Sequence, residues 1–433
     1  MAFSVPLRPL AGLLAALALA SCGGGGGSSS SSGGAAAPAL PPVSVTALTF
    51  ITSPTGLSAI THMNDALVVG DHAVVRSDSA SAGDNLHPGT RFTLLDAQGK
   101  ATASIDYGYK LVADYNGGWS MLPLPNGAGF ALLQQSGGSK LFTFDAQAQQ
   151  TGAQAGINLY DLPSGAADSP SISATSVVAD GNGLWVATTI KYPQANPQSS
   201  VTVLYKLVLT KFDYNGKALT PTAPIYTSTK PILSSLAASA GAVAIVWGDG
   251  GSSSLAYWAQ GGGGPIQKTV NASISQVSLI PVALNDSGQL GLLWGGNGQA
   301  NGNLMGVKLN ASGDPILAAG VTDWSGENLS GKWSADYTRV GLTPGVSHAN
   351  GRLMVTDAVD DKSPGDFILA ADYVLGSGPL SADAWVVGGV RRLTTLKPLS
   401  GTNAYLCQLV FGDHTLLLLG EDDHLAGGVV TRQ

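Results

Sequence analysis

The chain has 433 residues, 28 of them acidic and 21 basic, which gives a formal net charge of −7. An acidic surface of this kind argues against nucleic acid as a partner and against electrostatic docking on anionic lipids. Charged residues are only 11% of the chain, against about 25% in typical soluble domains, so Ser, Thr, Asn and Gln must provide much of the solvation.

The acidic residues are almost all aspartates, because Glu327 and Glu421 are the only glutamates. Glutamate favours helices, whereas aspartate favours turns and caps. The composition therefore predicts an all-β fold in which many turns join the strands.

Residues 1–21 contain one charged side chain, Arg8, followed by an unbroken apolar run. This pattern is typical of a secretory signal peptide, and the run is too short to span a bilayer. It ends in Leu19-Ala20-Ser21-Cys22, which resembles the lipobox of bacterial lipoproteins. The resemblance implies that the leader is removed and that Cys22 becomes lipidated. The alternative is an ordinary secreted protein with a chance cysteine.

Residues 22–42 follow as a Gly-, Ser- and Pro-rich tether without apolar periodicity. Several acyl chains on Cys22, each contributing about 0.8 kcal/mol per buried CH₂, would anchor the protein to a membrane. In the proteobacterial family an aspartate after the cysteine favours retention at the inner membrane, and this chain has Gly23 there. The resemblance therefore implies the bacterial outer membrane, with either a periplasmic or a surface-facing domain.

Residues 43–433 are more than one compact core usually serves, and they contain a repeat. The stretch from Leu67 to Val75 matches the stretch from Leu409 to Leu417, and each reads as an apolar strand, a Gly-Asp-His turn and a second apolar strand. Glycines that open similar second strands recur every 47 to 63 residues, at Gly70, Gly127, Gly183, Gly241, Gly288, Gly351 and Gly412.

A second turn follows in most units, led by Asp or Asn and closed by Gly. The copies are Asp96 to Gly99, Asp213 to Gly216 and Asn310 to Gly313, with Asp145 to Ala148 as a degenerate version. These are signatures of type I turns or bulges, and they predict a second hairpin in each unit.

Seven units of two hairpins predict a seven-bladed β-propeller of four-stranded antiparallel blades over residues 43–433. In architecture alone this resembles the propeller domains of tethered lipoproteins. The last unit shows only three strands, so we expect Val43 to Ile51 to pair with Leu425 to Arg432 and close the ring. Tandem β-sandwiches are the alternative.

In such an arrangement all loops between second and third strands lie at one end of the sheets, here called the long-loop end. Trp247 and Trp294 end their strands there beside Gly-rich loops, and Tyr192 belongs to the third unit. Aromatic rings beside amides could bind a sugar or a peptide. Alternatively, both tryptophans pack as core between blades.

The same end collects acidic residues from the sixth, seventh and first units, which are neighbours in a closed ring. They are Asp357, Asp360, Asp361, Asp366, Glu421, Asp422 and Asp423, with His424, and in the first unit Asp78, Asp84 and His87. Because Ca²⁺ prefers several carboxylate oxygens, this sector is the calcium hypothesis; solvated acidic turns are the alternative. No other cofactor is predicted.

The opposite end, where first strands turn into second strands, is called the short-turn end. The paired Gly-Asp-His turns place Asp71, His72, Asp413 and His414 there. Two His and two Asp could ligate zinc or move a proton, or they could be ordinary hairpin residues.

The sequence carries no recognisable catalytic motif. The stretch from Gly326 to Trp333 approaches a P-loop, but Trp333 stands where Mg²⁺ needs a hydroxyl. Neither a nucleophile elbow nor a zincin motif is present. The leading hypothesis is therefore a membrane-anchored, non-catalytic binding or scaffold module for an envelope protein or a glycan. Carbohydrate binding through the aromatic residues and metal-dependent hydrolysis are the alternatives.

Overall fold

The structure is a computed structural model, and its described residues all fall within the unit Leu40–Gln433. They are residues 43–45, 49–50, 61–79, 89–108, 119–134, 139–152, 155–157, 159, 170–194, 202–239, 241–250, 253–259, 266–269, 280–284, 289–295, 304–317, 327–328, 337–339, 345–349, 352–361, 365–374, 391–396, 405–411, 414–421 and 424–432. For residues 337–396, as for Trp294 and most of the last three strands, the backbone alone is described.

These residues form β-strands and one short 3-10 turn, Pro125–Gly127. The two N-terminal strands are β1 (Val43–Val45) and β2 (Thr49–Phe50). The first sheet consists of β3 (Thr61–Val69), β4 (His72–Ser79), β5 (Gly89–Leu95) and β6 (Ala101–Tyr107). The second consists of β7 (Trp119–Pro123), β8 (Gly129–Gln134), β9 (Lys140–Asp145) and β10 (Ala155–Gly156).

The third sheet contains β11 (Ser171–Ala179), β12 (Leu184–Gln194), β13 (Thr202–Phe212) and β14 (Ala223–Ser228). The fourth contains β15 (Leu233–Ser239), β16 (Ala242–Gly248), β17 (Ser253–Trp258) and β18 (Ile266–Thr269). The fifth contains β19 (Ile280–Ala283), β20 (Leu290–Gly295), β21 (Leu304–Leu309), β22 (Pro315–Ile316) and β23 (Glu327–Asn328).

The sixth sheet contains β24 (Tyr337–Arg339), β25 (Gly345–Ala349), β26 (Arg352–Asp361), β27 (Gly365–Val374) and β28 (Arg391–Leu396). The seventh contains β29 (Tyr405–Phe411), β30 (His414–Glu421) and β31 (His424–Arg432), together with β1 and β2. No helix in the part of the chain that the structure describes is long and apolar enough to cross a membrane.

Within the sheets the strands pair antiparallel and mostly in chain order, which confirms the predicted all-β architecture with several four-stranded sheets. In the fifth and sixth sheets one position is split, because β22 and β23 both pair with β21, and β24 and β25 both pair with β26. The predicted pairing of the two chain ends is also confirmed. Ser44 lies opposite Thr431, and Thr49 lies opposite Gly427.

Neighbouring sheets pack face to face, and central strands are buried on both faces. Val74 of β4 packs with Phe130 of the second sheet. Its neighbours Ala73 and Val75 point to the other face and pack with Leu416 of the seventh sheet. Further apolar clusters join the second sheet to the third, the third to the fourth and the fourth to the fifth. Burial on both faces explains why β8 and β16 are almost continuous apolar runs.

The predicted turns between third and fourth strands share one hydrogen-bond pattern. Asp96 Oδ1 accepts the backbone N–H groups of the residues two and four positions later, at 3.0 and 2.8 Å. Asp145, Asp213 and Asn310 repeat the pattern. In the degenerate copy Ala148 adopts φ +59°, the left-handed conformation that glycine occupies in the other copies.

Candidate functional site

The long-loop end of the sheets carries more than half of the buried polar side chains that the structure describes. Eight of the 14 stand within four positions of a loop between second and third strands: Arg76, Ser77, Ser79, Thr90, Arg91, Gln134, Ser139 and Ser253. Burying polar groups is unfavourable unless they find partners, so a core seldom concentrates them without a reason. This polarity distinguishes the long-loop end as the candidate site.

A charged group lies between the first two sheets at this end. Asp65 of β3 accepts the N–H of Ala66 at 2.9 Å and the N–H of Met121, in the second sheet, at 2.8 Å. Burial raises the pKa of Asp65 above its usual value, against these hydrogen bonds and the charge of Arg76. Arg76 is opposite Asp65 on β4 and is 8% exposed. Burial lowers the pKa of Arg76, while the charges of Asp65 and Asp78 oppose that shift.

A second charged pair occupies the other face of the first sheet. Arg91 Nε and Nη2 each donate to an oxygen of Asp106 at 2.7 Å, which is the two-pronged arginine–carboxylate geometry. Arg91 is buried and Asp106 is half-buried. Asp65 and Asp78 lie near Arg76, and Asp106 is paired with Arg91. These three acids of the first sheet therefore already have basic neighbours.

An aromatic corner, formed by Tyr226, Ser228, Leu233, Trp247 and Asp249, lies where the third and fourth sheets meet. Asp249 Oδ2 accepts the hydroxyls of Ser228 at 2.7 Å and Tyr226 at 3.1 Å. The hydrogen bond to Asp249, together with burial, raises the pKa of Tyr226. The Tyr226 ring lies 6.2 Å from the Trp247 ring, centroid to centroid. Tyr226 is 38% exposed and Leu233 is 51% exposed, so the corner presents apolar surface beside a carboxylate.

The three predicted aromatic residues do not come together as an exposed group. Trp247 is 3% exposed and packs in the core between the third and fourth sheets, as the core alternative expected. Tyr192 is 6% exposed and packs with Ile190 and Val208. Trp294 lies on β20, where the structure describes the backbone alone. Beside the buried Trp247 lies Tyr226, a partly exposed aromatic residue that the sequence analysis did not single out.

The predicted acidic sector is described only by its backbone. Asp360 lies directly opposite Asp366, Asp361 opposite Gly365, and Asp357 opposite Leu369. Glu421 ends β30 opposite His424. Asp422, Asp423, Asp84 and His87 lie outside the described residues. Among the described side chains, which include Asp78 but none of β26 and β27, no group of three His, Cys, Asp or Glu could hold a metal ion.

At the short-turn end, polar groups connect neighbouring sheets. His72 Nε2 donates to the carbonyl oxygen of Ala146 in the second sheet, and His72 Nδ1 lies 3.0 Å from Asp71 Oδ1. This contact lowers the pKa of the exposed Asp71 carboxyl. Tyr214 of the third sheet donates to the carbonyl oxygen of Pro123. The backbone alone is described for His414, and Asp413 lies outside the described residues. His72 therefore has a structural hydrogen bond across the sheet boundary.

Cys22, the predicted lipidation site, also lies outside the described residues. Sequence reasoning missed Tyr226, Asp249 and Arg76. Arg76 could have been noticed as a charge directly after the apolar residues Ala73 to Val75 of β4, whereas Tyr226 carries no signal in the short outer strand β14.

Comparison with known proteins yields neither a matching family model nor a matching curated protein. Among solved structures the chain is similar to one from a study of two prolyl endopeptidases, at 13% identity and TM-score 0.46, over 84% of this chain and 46% of that one. It thus spans about half the length of that protein. It is also similar to a protein of unknown function from Bacteroides caccae, at 11% identity and TM-score 0.35, over 74% of this chain and 97% of that one. Similarities at these values carry no argument about activity.

Proposed function

We propose that the chain is an envelope lipoprotein whose long-loop end is a non-catalytic binding surface on a seven-bladed β-propeller. Two observations support the propeller. First strands of neighbouring sheets contact each other, as β3 does with both β7 and β29, and β15 with β11 and β19. In addition, β1 completes the seventh sheet by pairing with β31, which would remove the exposed edges at the two ends of the chain.

The observation that carries the binding role is the aromatic corner at the long-loop end, where exposed apolar groups stand beside a hydrogen-bonded carboxylate. At the short-turn end, polar groups such as His72 and Tyr214 bond to carbonyls of the neighbouring sheet. At the long-loop end, Tyr226 and Leu233 expose apolar surface beside Asp249. Exposed aromatic and apolar groups with a fixed polar neighbour are typical of recognition surfaces.

The partner is an envelope protein or a glycan. The aromatic corner specifically favours a glycan as a second candidate, because Tyr226 offers a ring face whose orientation is fixed by Trp247 and Asp249. A sugar can place its apolar face on such a ring and its hydroxyls on the adjacent Ser228 and Asp249. A protein partner would instead use the exposed Leu233 together with Tyr226.

The test is capture from an envelope extract by the full chain, followed by a glycan array. The double variant Tyr226→Ala/Leu233→Ala should lose capture or glycan binding. The matched control, Leu219→Ala/Ile266→Ala, removes equally exposed apolar groups, at 48% and 41%, from the short-turn end and should retain both. Equal loss in the two double variants, or no loss in the first, would contradict the assignment. Glycan binding without protein capture would select the second candidate.

The lipid anchor has its own experiment. Cells that express the full chain and are fed labelled palmitate should incorporate label into the wild type and not into Cys22→Ala. Labelling of both forms, or of neither, would remove the anchor from the proposal without affecting the binding surface.

A further inference from the structure

The interface between the facing sides of the first and second sheets, here called the slot, changes from apolar to polar toward the long-loop end. Toward the short-turn end it is filled by aromatic rings, with Phe130 and Phe144 stacked at 4.8 Å between centroids and Phe92 edge-on to both. Strand alternation then brings polar residues onto the same faces. Arg76 follows Val74 on β4, and Gln134 follows Leu132 on β8.

Arg76 is the one arginine that the structure describes in this slot, and one of its five N–H donors has no acceptor. Although only 8% of the residue is exposed, its Nε–H has no hydrogen-bond partner. A guanidinium has five N–H donors in a fixed planar fork, and leaving a buried charged donor without an acceptor is strongly unfavourable. The buried Arg91 on the other face of the same sheet shows the satisfied alternative, a two-pronged pair with Asp106.

Two carboxylates act on Arg76, those of Asp65 and Asp78, but neither accepts a hydrogen bond from its Nε. Asp65 lies opposite Arg76, but its two oxygens accept the backbone N–H groups of Ala66 and Met121 and thereby join β3 to β7. Lys140, half-buried and opposite Gln134 in the second sheet, adds a positive charge on the facing side.

We propose that this slot at the long-loop end binds the carboxylate group of a ligand, with Arg76 as the residue that holds it. The planar guanidinium matches a carboxylate in two-pronged geometry, as the Arg91–Asp106 pair does nearby. Phe92 is the register partner of Arg76 on β5 and belongs to the aromatic cluster that packs next to it. This site is separate from the aromatic corner and does not depend on it.

The test uses the purified full chain and acetate as the probe. Melting is followed at neutral pH in rising sodium acetate, with sodium chloride or sodium phosphate at matched ionic strength. Acetate should raise the melting temperature along a saturating curve that chloride does not reproduce. In Arg76→Gln the apparent affinity for acetate should fall about tenfold or more, because a charge-assisted pair is lost.

The control variant is Arg91→Gln, which removes an equally buried arginine from the same sheet and should leave the acetate response unchanged. A wild type without an acetate-specific response, or an equal response in wild type and Arg76→Gln, overturns the proposal. A stronger response to phosphate than to acetate overturns the assignment of a carboxylate.

Arg76→Gln could fail to fold, so Arg76→Lys provides a second route. It keeps the charge and loses the planar fork, and it should weaken the acetate response. In the wild type, acetate should also shift the side-chain N–H resonance of Arg76 in nitrogen-edited NMR spectra. An unshifted Arg76 resonance at acetate concentrations that raise the melting temperature overturns the proposal.

Discussion

Gly127 lies directly against Gly70, so that a Cβ added to Gly127 would be 3.0 Å from the Cα of Gly70. The two residues hold equivalent positions in the first and second repeats and both have left-handed φ angles, of +63° and +68°. Their contact marks where the short turns of neighbouring sheets meet. The recurring glycine therefore serves the junction between sheets as well as its own turn.

Gly127→Ala should destabilise the protein by about 2 kcal/mol or more. The left-handed φ alone costs about 1–2 kcal/mol for a residue with a Cβ, and the close backbone of Gly70 cannot move aside as a flexible side chain would. Urea unfolding measures the change. Gly181→Ala is the matched control, because Gly181 has φ +82° with open space around the added Cβ. It should cost only about 1 kcal/mol, and an equal cost for both variants would contradict the close approach.

Asp65 should make stability depend on pH in a recognisable direction. Its pKa in the folded chain is raised above 3.8, the value expected for the unfolded chain. At pH values between the unfolded pKa and the folded pKa, the folded state therefore binds more protons than the unfolded state. The free energy of unfolding contributed by this group therefore falls as the pH rises through that window. Asp65→Asn does not titrate there. Unfolding curves from about pH 4 to about pH 7 should show the wild type losing stability relative to Asp65→Asn; a constant difference would contradict the raised pKa.

Asp180→Ala should be among the more destabilising single substitutions, at about 3 kcal/mol. The Asp180 side chain is 1% exposed, and its Oδ2 accepts Lys211 Nζ at 2.6 Å and Trp185 Nε1 at 2.8 Å. Removing it leaves two partly buried donors without their acceptor. Asp213→Ala, which removes an exposed turn carboxylate bonded to two backbone N–H groups, should cost only about 1 kcal/mol. Similar losses in urea unfolding would contradict the distinction.

The sequence predicted the features that depend on neighbouring residues. The Asp-led turns at Asp96 and Asp213 follow from local turn chemistry, and the pairing of Val43 with Arg432 follows from an incomplete last hairpin. Contacts across sheet boundaries were not predicted, because they join residues far apart in the chain. The hydrogen bond from the Met121 N–H of the second sheet to Asp65 and the ring contact of Tyr226 with Trp247 are of this kind.

The central claim is that the N-terminal strand completes the seventh sheet, and a disulfide tests it most directly. Ser44 and Thr431 are register partners in β1 and β31. In a Cys22→Ala/Cys407→Ala background, the pair Ser44→Cys/Thr431→Cys should form an intramolecular disulfide on mild oxidation, detected by gel mobility and peptide mapping. Ser44→Cys/Thr210→Cys, with its second cysteine in the third sheet, should not. Absence of the first cross-link, or equal formation of both, would contradict the arrangement of strands from which the binding surface is inferred.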